Sequence, residues 1–349
     1  MATIKRIGVL TGGGDCPGLN PAIRAVVYRA ADYGYEVYGI REGWAGLIKA
    51  DAGPIGVNDV RDIISVGGTM LGTSRTNPYK NEADKQKAIE NIGKLGLDAV
   101  VAIGGDDTLG VANKLSKEGA PCVGVPKTMD NDVSGTDYCI GFDTAVSVAV
   151  DALERLKDTA KSHQRVMVLE VMGREAGWVA LMTGMAGGAD WIMLPEFETD
   201  LDEMCNHLVE IKNKGRRFGT VVVSEAIRLS EAAGAEAGAE VEVDAFGHTR
   251  LGLRGVGPAV ADIIQKKTGI STRSAVIGHI QRGGPPVLRD RYLPTRLGLA
   301  AVDMVKAGQF GMMPAVVGDS IKPVALEVAV GKTKTVPAEL WEVAKSLFR

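Results

Sequence analysis

With 349 residues, the chain exceeds the roughly 250 to 300 at which a single hydrophobic core stops growing, so two lobes are expected. Apolar residues make up 45% and charged residues 24%, with a formal net charge of −3; this balance excludes disordered and fibrous classes, and no basic block marks a nucleic-acid surface. No stretch reaches the ~18 continuous apolar residues of a membrane span, and Ile7–Leu10 is too short for a signal peptide, so a cytoplasmic protein is expected.

In chain order, short β-rich runs predict strands at Arg6–Leu10, Glu36–Ile40, Ala99–Ile103, Cys122–Val125, Val166–Val171, Trp191–Leu194, Thr220–Val223, Ser274–Ile277 and Pro314–Val317. Helical patterns fall between them at Asn20–Tyr33, Glu82–Leu95, Thr108–Lys117, Thr144–Ala160, Leu201–Lys214, Pro258–Lys267 and Thr295–Lys306. Such alternation implies an α/β fold with largely parallel sheets and helices on both faces, and a boundary is expected near Gly141. The acidic, low-complexity run from Leu229 to Ala245 reads as a surface excursion, and Pro337–Phe348 as an amphipathic helix with proline in its first turn. Glycine, 45 residues in all, clusters after the strands, where backbone approaches ligands. The four cysteines, Cys16, Cys122, Cys139 and Cys205, lack metal-like spacing and read as reduced structural thiols; Cys16, in a glycine-rich loop, could also be reactive.

Three constellations carry chemistry. Thr11-Gly12-Gly13-Gly14-Asp15 follows the first strand and opens the first helix, where backbone N–H groups and the helix start suit an anion; a merely tight turn is the other reading. Gly104-Gly105-Asp106-Asp107-Thr108 follows the third strand, and carboxylates beside a phosphate site call for an offsetting cation such as Mg²⁺, or else serve as a helix N-cap. Lys127-Thr128-Met129-Asp130-Asn131-Asp132 follows the fourth strand and supplies a cation, a hydroxyl and two carboxylates, the parts that phosphoryl transfer requires, although Asp-Asn-Asp is also ordinary turn composition. Basic groups at strand ends beside glycines suit oxyanions: Arg75, Arg165, Arg174, Arg273, and the run His279-Ile280-Gln281-Arg282 before Gly283-Gly284. Glu225 closes the strand before it and suits sugar hydroxyls or a rim ion pair.

Thr11-Gly12-Gly13-Gly14-Asp15, Gly104-Gly105-Asp106, Lys127 to Asp132, Met172-Gly173-Arg174 and Gly278 to Gly284, in this order and across essentially the whole chain, resemble the 6-phosphofructokinase family. The resemblance implies two doubly wound lobes with the active site in the cleft between them: residues 1–141 with about 281–331 as the phosphoryl-donor lobe, and 142–280 with about 332–349 as the sugar-phosphate lobe. It implies Asp130 as the base for the 1-hydroxyl of fructose 6-phosphate, with Thr128 holding the reacting groups, Asp132 supporting the base and Asp106 beside Mg²⁺. Gly13, Gly14, Arg75, Gly105, Asp107, Thr108 and Lys127 are the expected donor-binding residues. Met129, Met172, Gly173, Arg174 and Glu225 are expected against the sugar, and His279, Ile280, Gln281 and Arg282 around the 6-phosphate. Arg165 and Arg273 are expected from a neighbouring subunit, which implies at least a homodimer, with neither nucleic acid nor membrane as partner.

The donor turns on Asp107 and Lys127. ATP-using members of the family commonly carry glycine at the position of Asp107, leaving room for the α-phosphate. A carboxylate about 4 Å from that phosphate would oppose it by roughly 4 kcal/mol at an effective dielectric near 20. The pair therefore resembles the pyrophosphate-dependent branch, which makes fructose 1,6-bisphosphate and orthophosphate reversibly; an ATP-dependent enzyme and an inactive sugar-phosphate sensor are the alternatives. Allosteric bacterial members pair two arginines on the first helix, whereas here Arg24 is followed by Tyr28, with Lys157, Lys214 and Arg216 at other basic positions, so strong nucleotide regulation is not expected.

Overall fold

The computed structural model describes residues 4–229 and 255–348, and the acidic run expected at the surface lies, from residue 230 onward, outside the described residues. Strand β1 (Arg6–Thr11) leads into α1 (Leu19–Asp32), followed by β2 (Glu36–Ile40), α2 (Trp44–Lys49), β3 (Ala52–Pro54), α3 (Glu82–Lys94), β4 (Ala99–Gly104), α4 (Asp106–Lys117) and β5 (Cys122–Pro126). The long α5 (Phe142–His163) comes next, then β6 (Val166–Val171), α6 (Trp178–Gly187), β7 (Trp191–Met193), α7 (Leu201–Asn213), β8 (Gly219–Ser224), α8 (Val256–Thr268) and β9 (Thr272–Val276). After a short 3-10 turn at Gly278–Arg282, the chain runs through α9 (Arg289–Lys306), β10 (Met312–Val317), β11 (Ser320–Ala325), α10 (Leu326–Gly331) and α11 (Ala338–Lys345).

Two compact units result. Among the described residues, the first covers 4–144 and 282–333, and the second covers 145–229, 255–281 and 334–348. The first unit holds a seven-stranded sheet in the order β11-β10-β5-β4-β1-β2-β3, parallel except for its edges, where β3 and β11 pair antiparallel with β2 and β10. The second holds a parallel four-stranded sheet, β7-β8-β6-β9. Every residue of β4, β5, β6 and β8 is buried, as strands covered on both faces of a parallel sheet require, including the polar Glu170, Thr220 and Ser224. Each unit has its own core, built around Leu10, Val100, Leu109 and Met313 in the first and around Val168, Met193, Leu208 and Val260 in the second. Among the described residues no helix is long and apolar enough to cross a membrane.

The doubly wound architecture matches the sequence expectation, while the two edge strands and helices α2, α6 and α10 are additions. Strand β11 carries Lys322 and Pro323, exposed, and is defined by its pairing with β10 rather than by an apolar pattern of its own. Helix α6 is apolar around most of its circumference and contains two glycines, so it has no amphipathic stripe to read.

Register fixes what the loops can reach. Thr11 lies opposite Ile103, and Gly104 opposite Pro126, so the segments leaving β1, β4 and β5 start level with one another at the carboxyl ends of three adjacent strands. The start of α5 is held from far along the chain. The buried Asp290 carboxylate accepts from the Gly141 and Thr144 N–H groups, both at 2.7 Å, and from the Thr144 hydroxyl at 2.6 Å. Burial raises its pKa to about 6 against these hydrogen bonds, which act to lower it. The folded protein thus binds this proton more tightly than the unfolded chain, and the stability penalty of ionising Asp290 is complete above pH about 6 and vanishes as pH falls toward 4. Between those limits, urea midpoints should show wild type losing on the order of 3 kcal/mol relative to Asp290→Asn as pH rises. Parallel pH profiles for the two proteins would show that the carboxylate is ionised at no such penalty.

Candidate active site

In the first unit a wedge and a buried cation shape the glycine loop after β1. Thr108, 2% exposed in the first turn of α4, fills the space beside two glycines. A Cβ on Gly12 would sit 2.5 Å from its Oγ1, and one on Gly104 would overlap its side chain outright. These two positions require glycine because backbone passes directly against that threonine. The Gly12 N–H donates to the Ile103 carbonyl and the Gly13 N–H to the Ser74 carbonyl, both at 3.0 Å, while the Thr73 hydroxyl donates to the Gly13 carbonyl. This corrects the expectation of inward-turned amides: the Gly12 and Gly13 N–H groups are already bonded within the fold, and carbonyls face the cations. Lys127 Nζ donates to the Gly12 carbonyl at 2.9 Å and to the Gly14 carbonyl, and Arg282 donates to the Asp15 carbonyl at 3.1 Å.

Lys127 is 2% exposed, and burial pulls its pKa below the ordinary lysine value. Asp106 and Asp107 occupy the first turn of α4 and are half-buried, where the helix dipole favours anionic groups. The N-cap itself is Gly105, without a capping side chain, so the N-cap reading of Asp106 is corrected: it is the first residue of the helix. Arg75 lies exposed on the loop that also presents Thr73 and Ser74 to the glycine segment. Asn20 fixes the start of that loop, donating to the Val66 and Gly67 carbonyls and accepting from the Met70 N–H.

Beyond β5 the Thr128 hydroxyl accepts from the Asp130 N–H at 3.1 Å and donates to Asp130 Oδ2 at 3.3 Å. Asp130 is 6% exposed, and its Oδ1 has no hydrogen-bond partner among the described residues. The next residue, Asn131, adopts a left-handed φ of 54° and is pinned by the Cys139 N–H and the Asp137 carbonyl. Asp132 is buried as well. Met129 departs from expectation, since its side chain is 1% exposed and packs in the interior. Cys16 is a buried thiol that donates to the Ile140 carbonyl, with its pKa pushed up to about 12 by burial, so the structural reading holds.

In the second unit the loop after β6 carries Met172, Gly173 and Arg174. Glu225, buried at the end of β8, accepts at 3.3 Å from both the Gly173 and Arg174 N–H groups, and Arg174 takes a left-handed φ of 51°. Glu196 accepts from the Gly177 N–H and from the Val336 N–H. His279 is exposed and Ile280 70% exposed on the 3-10 turn, whereas Gln281 is fully buried with its amide engaged by backbone. Direct substrate contact by Gln281 is therefore corrected, since the group has no free face. Arg282, expected beside His279, falls in the first unit against Gly14 and Asp15.

Arg165 immediately precedes β6 and Arg273 stands opposite Met167, near the amino ends of β6 and β9. Met172, Glu225 and His279 follow the carboxyl ends of β6, β8 and β9. Because these strands run parallel, six residues of β6 separate the two groups by roughly 15 to 20 Å. Sequence reasoning missed Asn20, Glu196 and Asp290 because each acts on backbone distant in the chain and stands in no recognisable spacing.

A phosphofructokinase model matches residues 6–305. The chain belongs to the phosphofructokinase family. A protein of Dictyoglomus thermophilum named pyrophosphate–fructose 6-phosphate 1-phosphotransferase is 54% identical, with 98% of each chain covered. One of Streptomyces coelicolor named ATP-dependent 6-phosphofructokinase 2 is 46% identical, covering 98% of this chain and 100% of that one. Among solved structures, Pichia pastoris phosphofructokinase in the T-state superposes with a TM-score of 0.82 at 30% identity; 99% of this chain is covered, and it spans 37% of the length of that yeast chain.

For this phosphofructokinase the glycine-loop packing is open to a double-mutant test. Gly12→Ala should cost about 1 to 3 kcal/mol by urea denaturation, and a Thr108→Ala background should recover at least half of that, because the overlapping atoms are gone. Additive losses would contradict the wedge.

Proposed function

We propose that the protein transfers a phosphoryl group reversibly from pyrophosphate to the 1-hydroxyl of fructose 6-phosphate, giving fructose 1,6-bisphosphate and orthophosphate. The observation that carries the choice of donor is Asp107, a carboxylate in the first turn of α4, after Gly104-Gly105-Asp106. Pyrophosphate ends where a nucleotide would continue into an α-phosphate, so this carboxylate opposes only the nucleotide. An ATP reaction would require the Asp107 carboxylate to rotate away from the α-phosphate position.

The chemistry follows from the residues. Asp130 Oδ1 takes the proton of the sugar 1-hydroxyl, while Thr128 holds the other carboxylate oxygen and so fixes the direction of the first. The hydroxyl oxygen bonds to the terminal phosphorus, the bridging P–O bond breaks, and orthophosphate leaves. Lys127, with its reduced proton affinity and its place behind the glycine loop, balances phosphate charge from within the fold. Met172, Gly173, Arg174, Glu225 and His279 hold the sugar phosphate.

Among the described residues no three His, Cys, Asp or Glu side chains form a metal cage. Mg²⁺ needs none, since it binds through one or two carboxylates together with phosphate oxygens and water, and Asp106 in the first turn of α4 supplies such a carboxylate. When bound it offsets phosphate charge. The separation of Arg165 and Arg273 from the carboxyl ends of their strands supports a homo-oligomer in which a second copy supplies these two arginines. A cytoplasmic location goes with this reading.

Two variants check the assignment. Asp107→Gly should raise kcat/KM for ATP relative to pyrophosphate by at least about tenfold, with an upper bound of roughly a thousandfold set by the removed repulsion. An unchanged donor ratio would show that this carboxylate does not select the donor. Asp130→Ala should lower kcat by about a hundredfold or more while fructose 6-phosphate still binds, and a variant near wild-type rate would assign the base elsewhere.

A further inference from the structure

Strand β6 hydrogen-bonds to β8 on one side and to β9 on the other, but the two ladders end at different heights. On the β8 side the pairing reaches Val171 opposite Ser224 and is extended by the Glu225 N–H donating to the Val171 carbonyl. On the β9 side it stops at Glu170 opposite Val276, with only the Ile277 N–H beyond it, donating to the Glu170 carbonyl at 3.4 Å. Because alternate residues of a strand direct their N–H groups to the same side, the Met172 N–H faces the β9 side, where no ladder carbonyl remains. A part-buried N–H that the ladder leaves over is satisfied by another acceptor. Gln281 supplies it: its Oε1 accepts from Met172 at 2.7 Å, and its Nε2 donates to the Ala145 carbonyl at 3.4 Å. The side chain is fully buried, so both ends are spent on backbone.

We propose that Gln281 is a positioning residue, whose side-chain amide ties the Met172–Arg174 loop to the turn carrying His279 and thereby sets the distance between these two substrate-holding segments. Glu225 holds the same loop from the opposite side through the Gly173 and Arg174 N–H groups, so the loop is suspended between two acceptors. Gln281 is the one of the two whose own backbone belongs to the turn bearing His279. The inference rests on the proposed phosphoryl transfer to fructose 6-phosphate, and it assigns Gln281 no contact with substrate.

The test measures kcat and both KM values for wild type, Gln281→Met and Gln281→Glu across pH, with pyrophosphate, fructose 6-phosphate and Mg²⁺, alongside thermal melts. Gln281→Met keeps the volume but removes the acceptor; kcat should fall roughly ten- to hundredfold, with KM for pyrophosphate unchanged within about twofold. Gln281→Glu keeps an oxygen toward Met172. Protonated, it also reproduces the donor to Ala145, so its kcat should approach wild type at acidic pH and drop away as the buried carboxyl ionises. Wild-type kcat in Gln281→Met overturns the proposal, as does a rise in fructose 6-phosphate KM alone, which would mark a substrate contact. If Gln281→Met fails to fold, the pH profile of Gln281→Glu decides, and one parallel to wild type counts against positioning. A wild-type enzyme that turns over with neither donor overturns the functional reading, and this inference with it.

Discussion

A lysine ammonium with 2% exposure cannot remain unpaired, because removing such a charge from water without compensation costs several kcal/mol. Much of the first unit follows from how Lys127 is satisfied. Its Nζ sits behind the loop after β1 and draws the Gly12 and Gly14 carbonyls toward it, with the Arg282 guanidinium taking the Asp15 carbonyl beside them. The loop can adopt that course only because Thr108 wedges against glycines rather than larger residues, and because β1, β4 and β5 start their loops level. The result is a loop whose charge balance is set by side chains, in the neighbourhood proposed to bind the phosphoryl donor. Two cations stand behind the glycine loop and two carboxylates open α4.

The second unit solves the converse problem. Here it is backbone N–H groups that need partners, since the loop after β6 leaves the sheet with donors facing inward. Glu225, Gln281 and Glu196 each reach in from a different segment to accept from it. The left-handed conformation of Arg174 is held in place by this set of acceptors, as expected where a sparsely populated backbone state is over-determined by its surroundings. Rigid suspension of this kind suits the role proposed for the loop, since a preorganised guanidinium meets a phosphoryl group with little reorganisation.

The strands of both units were legible to the extent that they were buried on two faces, while their order in each sheet was not. Ala99–Ile103 and Val166–Val171 announce themselves as apolar runs, whereas β3 and β11 exist only as partners of β2 and β10. The candidate site was readable as residue types: Asp130, Lys127, Asp106, Asp107 and the Met172–Arg174 loop stand in motifs that short-range spacing reveals. What spacing could not reveal was direction. Nothing in the run from Lys127 to Asp132 says that Met129 turns inward, and nothing in the run from His279 to Arg282 says that Gln281 is buried while Ile280 is 70% exposed. Asp290 acts on Gly141 and Thr144, 149 and 146 positions away, and such long-range capping leaves no trace in local sequence.

The account of donor choice rests on a carboxylate at the amino end of α4, and steady-state turnover of fructose 6-phosphate by the wild-type protein with each donor in turn, Mg²⁺ present in both, tests it most directly. The account predicts a kcat/KM for pyrophosphate that exceeds that for ATP by orders of magnitude, up to roughly the thousandfold set by two like charges about 4 Å apart. Efficient turnover with ATP and none with pyrophosphate would contradict it.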